Sequence, residues 1–212
     1  MLENTLYINL SNRPDRNSHV LSELQKIGIL NPTRMDATKA NDGAIGCTLS
    51  HIKCLEFAKT NNWSCVFICE DDITFTNPKL LVENLEKINQ NPEIQWDVLL
   101  IGGNNCPPYE KVAEYCIRTR NVQTCLGYVV KQHYYDKLIH NFRQGLQLLL
   151  RNPANRREYA VDMYWKRLQH HDGWYMVIPA TVVQYSNYSN IENKIVNYDH
   201  LMLDIEKKWL FH

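Results

Sequence analysis

No apolar run in the chain approaches the ~20 residues that a bilayer-crossing helix needs. The opening Met1-Leu2-Glu3-Asn4 lacks the basic start and apolar core of an export signal. A cytoplasmic location is therefore expected, with no membrane span and only peripheral membrane association left open. An excess of one charge is missing as well, because 23 Lys and Arg balance 23 Asp and Glu. Such a balance supplies no general field for nucleic acid or an anionic surface, so no nucleic-acid partner is expected and any anion site must be local. No repeat, low-complexity tract or linker divides the 212 residues. A single domain over 1–212 follows, large enough to bury a core without staples. Nor is there a C-x-x-C pair among the seven cysteines, whose number is odd. Free packing thiols are expected, with Cys65 and Cys69 on one strand face and Cys47 and Cys54 on one helix face.

What is present centres on Cys65-Val66-Phe67-Ile68-Cys69-Glu70-Asp71-Asp72-Ile73. Five apolar or thiol residues without a polar break read as a strand covered on both faces, as in a parallel sheet. Three carboxylates then follow at its carboxyl end, where ligands of open α/β sheets bind. Adjacent carboxylates raise one another's pKa unless a cation neutralises them, and a hard divalent ion takes oxygen ligands of this kind. The plain alternative is a solvated strand end whose acids cap the next element.

Around this centre, strands and helices alternate. Thr5–Leu10 reads as a strand that runs into a turn bearing Arg13 and Arg16, and a helical pattern from Asn17 is closed by Gly28. Forked arginines at such a turn suit a diphosphate, or are incidental surface charge. Thr33–Ala37 is a second strand. The stretch from Gly46 to Ala58 has helical spacing, and its first turns, including His51 and Lys53, could offer donors to a phosphate; His51 is as readily a packing residue. Pro78 opens a helix and Trp96–Ile101 is a strand, after which Gly102-Gly103 permits close approach of backbone or ligand. Glu114–Arg118 and Thr124–Val130 read as strands, Lys131 to about Leu150 as a helix, and Arg151–Glu158 as a loop. A short helix from Ala160 carries Asp162 in its first turn, where a carboxylate also suits the helix dipole. Strands at Trp174–Pro179 and Thr181–Gln184, a loop from Tyr185 to Asn190 and a tail helix over Asp199–Leu210 complete the pattern.

Taken in order, Tyr7-Ile8-Asn9-Leu10-x-x-Arg13-x-Asp15-Arg16, Gly46-Cys47-x-x-Ser50-His51, Glu70-Asp71-Asp72, Gly127-Tyr128 and Asp162 resemble glycosyltransferase family 25, which includes lipooligosaccharide and collagen galactosyltransferases. The resemblance implies an α/β nucleotide-sugar transferase fold of the A type, Rossmann-like, with a mixed, mostly parallel sheet flanked by helices. It implies a UDP-sugar donor, Mn²⁺ or Mg²⁺ held by Glu70 and Asp72, and transfer of galactose or glucose to a hydroxyl of a glycan or glycoprotein. Asn9, Arg13, Arg16, Asp36 and the turn carrying Gly46, Cys47, Ser50, His51 and Lys53 are then expected around uridine and diphosphate, with Asp71 beside them. Asp162 becomes the expected base for an inverting displacement. Gly102, Gly103, Gln184, Ser189 and Asn190 are expected near the sugars, although Asn190 stands where the family frequently has an acid. A sugar-nucleotide-binding protein without catalysis, or a nucleotide-sugar hydrolase, are the alternative functions.

Overall fold

In the computed structural model, which describes residues 1–185, 187–189 and 194–211, the chain opens with β1 (Thr5–Asn9), α1 (Pro14–Lys26) and β2 (Thr33–Asp36). α1 starts ahead of the apolar pattern because Pro14, with its fixed φ and no N–H to leave unpaired, suits the first helical position. Gly28 ends it at φ +81°, a left-handed conformation that glycine adopts without a steric penalty. There follow α2 (Gly43–Thr60), β3 (Cys65–Glu70), β4 (Ile73–Phe75), α3 (Pro78–Gln90) and β5 (Val98–Asn105). Then come β6 (Glu110–Ala113), β7 (Cys116–Arg118), β8 (Val122–Lys131) and α4 (Tyr135–Arg151). The short helices α5 (Arg156–Tyr159), α6 (Val161–Tyr164) and α7 (Lys166–Gln169) lead to β9 (Trp174–Val177) and β10 (Val182–Gln184). β11 (Asn187–Ser189), β12 (Lys194–Val196) and α8 (Asp199–Leu203) close the chain.

Eight strands form one sheet in the order β2-β1-β3-β8-β5-β9-β7-β6. β2, β1 and β3 are mutually parallel, as are β5 and β9, whereas β8 runs against β3 and β5, and β7 against β9 and β6. Only β7 and β8 oppose the common direction, which is the mixed, mostly parallel arrangement expected. β3 shows why its sequence has no polar break. Val66 and Ile68 pack with Ile52 and Leu55 of α2 and with Leu138 and Phe142 of α4, while Phe67 and Cys69 pack with Leu24 of α1 and Leu85 of α3 on the opposite face. Each such buried side chain is worth about 1.5–3 kcal/mol relative to exposure. All seven cysteines are free, with Cys65 and Cys69 on the face of α1 and Cys47 and Cys54 on that of α2.

The winding reverses at β1. α1 leads outward to β2, and α2 returns the chain to β3 on the other flank of β1, on the opposite face of the sheet. A crevice opens at such a reversal, outside the carboxyl ends of the strands. Asn9 and Glu70 end β1 and β3 there.

Several elements differ from the sequence reading. β3 stops at Glu70, and Ile73–Phe75 is a separate strand paired with β10. Arg151–Glu158, expected as a loop, is largely helical, and the loop from Tyr185 includes β11, which pairs with β12. Glu110–Ala113 joins β7 as an edge hairpin. The tail helix ends at Leu203, because Asp204 turns its carboxylate onto the N–H groups of Glu206 and Lys207 (3.1 and 2.9 Å). Lys207 then turns inward at φ +44° and is fully buried, donating to the carbonyl oxygens of Leu201 (2.7 Å), Asp204 (2.8 Å) and Asn105.

α2 begins at Gly43, with Asp42 as its cap accepting from the Ala44 N–H (2.8 Å). Gly46 is therefore inside the helix, and its N–H already donates to the Asp42 carbonyl (3.1 Å). Its role is close contact rather than donation, since a Cβ there would stand 2.5 Å from the Thr38 carbonyl oxygen. Replacing Gly46 by Ala should displace this loop and destabilise the fold by about 1–3 kcal/mol, as overpacking does. A thermal melt of Gly46→Ala indistinguishable from wild type would show that the loop yields freely.

Candidate active site

The alternation that packs β3 also distributes its acids. Glu70 follows Val66 and Ile68 to the α2 side, where its Oε1 accepts from Cys47 Sγ (3.4 Å) and pairs with His51 Nε2 (3.2 Å). His51 is fully buried, and its Nδ1 lies 2.8 Å from the Tyr128 hydroxyl. Asp71 faces α1, accepting from Asn9 Nδ2 (2.7 Å) and Arg16 (3.0 Å). Asp72 Oδ2 accepts from the same Arg16 guanidinium (3.2 Å) and from Gln184 Nε2 (2.9 Å). Asn9 is itself fixed by Arg34, which donates to its Oδ1 (3.1 Å).

One guanidinium thus serves two buried carboxylates with a third beside them. Burial, reinforced by Glu70, pushes the Asp72 carboxyl up to about 7. Burial also raises Asp71, against the pull of Arg16. On Glu70 burial opposes charge, yet the hydrogen bonds from His51 and Cys47 outweigh it and hold the carboxyl below its ordinary value.

These residues fit a hard divalent cation. Asp72 Oδ1 is buried without a hydrogen-bond partner among the described residues, and such an atom carries a desolvation cost until something occupies it. Oxygen donors and surplus negative charge are what Mn²⁺ or Mg²⁺ requires. The structure adds a grouping that the sequence reading did not make: Cys47, His51 and Glu70 each offer a ligand atom within 4.8 Å of the others. Glu70 belongs to both arrangements.

Two cavities flank this cluster. The first, of about 380 Å³, is lined by Arg13, Arg16, Gly46, Ser50, His51 and all three acids, among others. The second, of about 340 Å³, is lined by Asp162, Thr124, Asn104, Arg156, Tyr198 and Met202, among others. Cys47, Glu70 and Gln184 line both. Asp162, in the first turn of α6, accepts from the Thr124 N–H (2.9 Å) through Oδ2. Thr124 has φ +79°, a strained value for a β-branched residue, in the part of β8 where its register with β5 slips. Burial raises the Asp162 carboxyl above its ordinary value.

The remaining expected residues fall elsewhere. Asp36 is mostly exposed and pairs with Arg34 (3.1 Å), and Lys53 donates to the Asp36 carbonyl (3.3 Å); neither lines either of these two cavities. Arg13 reaches the first cavity with its guanidinium forked onto Asp15 (2.7 Å). Ser50 Oγ accepts from the Thr38 N–H (2.8 Å) and donates to the Gly46 carbonyl (2.7 Å), so it ties the loop to α2. Gly102 and Gly103 are packing positions in β5, where a Cβ would meet Val182 at 2.8 Å and Val122 at 2.6 Å; their neighbour Asn104 is the one that reaches a cavity. Ser189 lies in β11, and Asn190 falls outside the described residues. Arg34, Arg156 and Tyr198 were not anticipated. All three are ordinary surface or strand residues in the sequence; the folded chain brings Arg156 and Tyr198 to the second cavity and Arg34 to Asn9.

A mixed, mostly parallel sheet between helices, delivering acids to its winding reversal with a cavity on each side, is a Rossmann-like α/β fold. The chain belongs to glycosyltransferase family 25 (LPS biosynthesis protein), whose profile it matches over residues 32–165, and it is accordingly an enzyme of hexosyltransferase type. Asn9, Arg13, Arg16 and Gln184 lie outside the matched span. Among solved structures, A197 from STIV is similar at a TM-score of 0.50 and 10% identity, over 92% of this chain and 93% of that one. A glycosyltransferase involved in glycosylation of the major capsid of PBCV-1 is similar at a TM-score of 0.47 and 8% identity, over 84% of this chain and 93% of that one. Likeness at such identities is one of fold. No curated protein matches in sequence.

The raised Asp72 pKa has a thermodynamic consequence. The native state holds the Asp72 proton up to about 7, the unfolded chain only to about 4. Across that window folding binds protons, so this group makes stability fall as pH rises. In chelator, the stability of Asp72→Asn relative to wild type should therefore increase from about pH 4 to about 7 and then level off. Denaturant melts of both proteins across that range check it; a constant difference would mean that Asp72 titrates normally.

Proposed function

We propose that the protein transfers a hexose, galactose or glucose, from a UDP-sugar to a hydroxyl of a glycan or glycoprotein, with inversion at the anomeric carbon. The observation that carries this reading is the pair of cavities meeting at Cys47, Glu70 and Gln184. The first has the acids, two arginines and residues of the α2 N-terminal turns, and so suits a nucleoside diphosphate and its counter-ion. The second adds a carboxylate that the first lacks, Asp162, to serve an acceptor.

Mn²⁺ or Mg²⁺ held by Glu70 and Asp72 would offset the charge that develops on the departing diphosphate. Arg16 holds Asp71 and Asp72 in place, and Gln184 fixes Asp72 from the far side. Arg13 brings a guanidinium to the same cavity with its Nε and one terminal nitrogen already held by Asp15, and its remaining donors suit a phosphate oxygen. Across the divide, Asp162 accepts the proton of the acceptor hydroxyl. A raised pKa makes a carboxylate a better base near neutrality. Attack from the cavity opposite the leaving group is what inversion requires.

The test is release of UDP from UDP-galactose and UDP-glucose with Mn²⁺, with and without a glycan acceptor. Acceptor-dependent release supports transfer, whereas equal release without acceptor would indicate hydrolysis. Asp162→Asn should lower turnover by about 10²–10⁴-fold, the loss typical of a missing general base, and leave donor affinity nearly intact. Turnover within about threefold of wild type, well inside that range, would remove Asp162 from the role. Calorimetry gives a separate check, since UDP should bind in Mn²⁺ and weakly in chelator; equal affinities would overturn the metal-dependent reading.

A further inference from the structure

We propose that Cys47, His51 and Glu70 form a second cation site, specific for a thiophilic divalent ion such as Zn²⁺, which shares Glu70 with the oxygen site of Glu70 and Asp72. Their ligand atoms, Sγ, Nε2 and a carboxylate oxygen, lie within 4.8 Å of one another. Sulfur and imidazole nitrogen suit Zn²⁺, whereas Mg²⁺ and Mn²⁺ favour oxygen. The set stands on rigid elements. Cys47 and His51 are four residues apart in α2, hence on one helix face, and the end of β3 brings Glu70 to them.

The histidine is held as a metal ligand's ring should be. Its Nδ1 faces the Tyr128 hydroxyl at 2.8 Å, the two rings stack at 5.6 Å, and Phe142 meets it edge-on at 6.4 Å. Partners of this kind fix the ring and its tautomer around a metal. Cys47 and Glu70 line both cavities, so an ion has a route in and a coordination position left over for water or a ligand. The protons balance simply. The Cys47 thiol, which donates to Glu70, releases its proton to solvent as the sulfur binds. The imidazole, whose Nε2–H faces Glu70 in the metal-free protein, takes the other tautomer on binding, so that the Nε2 lone pair meets the ion and the Nδ1–H turns to the Tyr128 hydroxyl. One proton leaves per ion bound. Because Glu70 cannot serve both ions fully, Zn²⁺ and Mn²⁺ should compete.

The site does not depend on the transfer reaction, and its test involves no activity. The full chain, stripped with chelator, is titrated with Co²⁺ as a spectroscopic stand-in for Zn²⁺. A thiolate-to-cobalt charge-transfer band should grow to one equivalent, vanish on addition of Zn²⁺, be lost in Cys47→Ser and persist in Asp72→Asn and Cys54→Ser. Absence of the band in wild type, or its persistence in Cys47→Ser, overturns the proposal. A measurement on wild type alone guards against a misfolded variant. Zn²⁺ should slow alkylation of Cys47, read by peptide mass spectrometry, at least tenfold, whereas Mg²⁺ should not. Equal labelling with and without Zn²⁺ would also overturn it.

Discussion

The convergence of Asp71 and Asp72 on a single guanidinium, that of Arg16, with Glu70 beside them, is the constraint on which the crevice depends. Two carboxylates share this cation, and the third turns away to His51 and Cys47. Removing one partner from such a buried group is far more damaging than replacing the whole set, since it leaves charge uncompensated at several kcal/mol. The surrounding scaffold serves this end. Asn9, at the tip of the neighbouring strand, bonds Asp71, and Gln184, at the tip of β10, bonds Asp72. Three strand ends and one helix start are thereby held together by polar contacts that the apolar layers alone would not specify.

Those layers were well foreshadowed. The unbroken run of Val66, Phe67 and Ile68 announced a strand covered on both faces, and each residue is fully buried on the face its parity assigns. The acidic triplet, residues of the stretch from Gly46 to His51 and the arginines after β1 line one cavity. Sequence spacing falters where polar side chains rather than periodicity set the backbone. Asp42 starts α2 before Gly46, and Asp204 stops α8 well before Leu210, each by capping backbone N–H groups. Glycines mislead for a related reason. The pair Gly102-Gly103 reads as room for a ligand, but Val182 and Val122 of neighbouring strands take the space.

Arg34 and Tyr128 illustrate what a linear reading cannot supply. Arg34 sits in a strand that pairs with β1, and its contact with Asn9 depends on the register Tyr7 opposite Arg34. Tyr128 reaches His51 because β8 runs antiparallel to β3 with Ile68 opposite Tyr128. Both follow from long-range pairing, which no local pattern encodes. Strain is equally invisible: the left-handed Thr124 that presents its N–H to Asp162 arises from a slip in register with β5.

The buried Lys207 binds three carbonyl oxygens and thereby clamps the tail to Asn105 on β5. Just upstream of that clamp, Tyr198, Leu201 and Met202 wall the second cavity, while the first takes nothing from this segment. The two halves of the crevice thus answer to different stretches of polypeptide. Exchanging Tyr198, Leu201 or Met202 would therefore reshape the wall of one cavity and leave the lining of the other and the central sheet as they are.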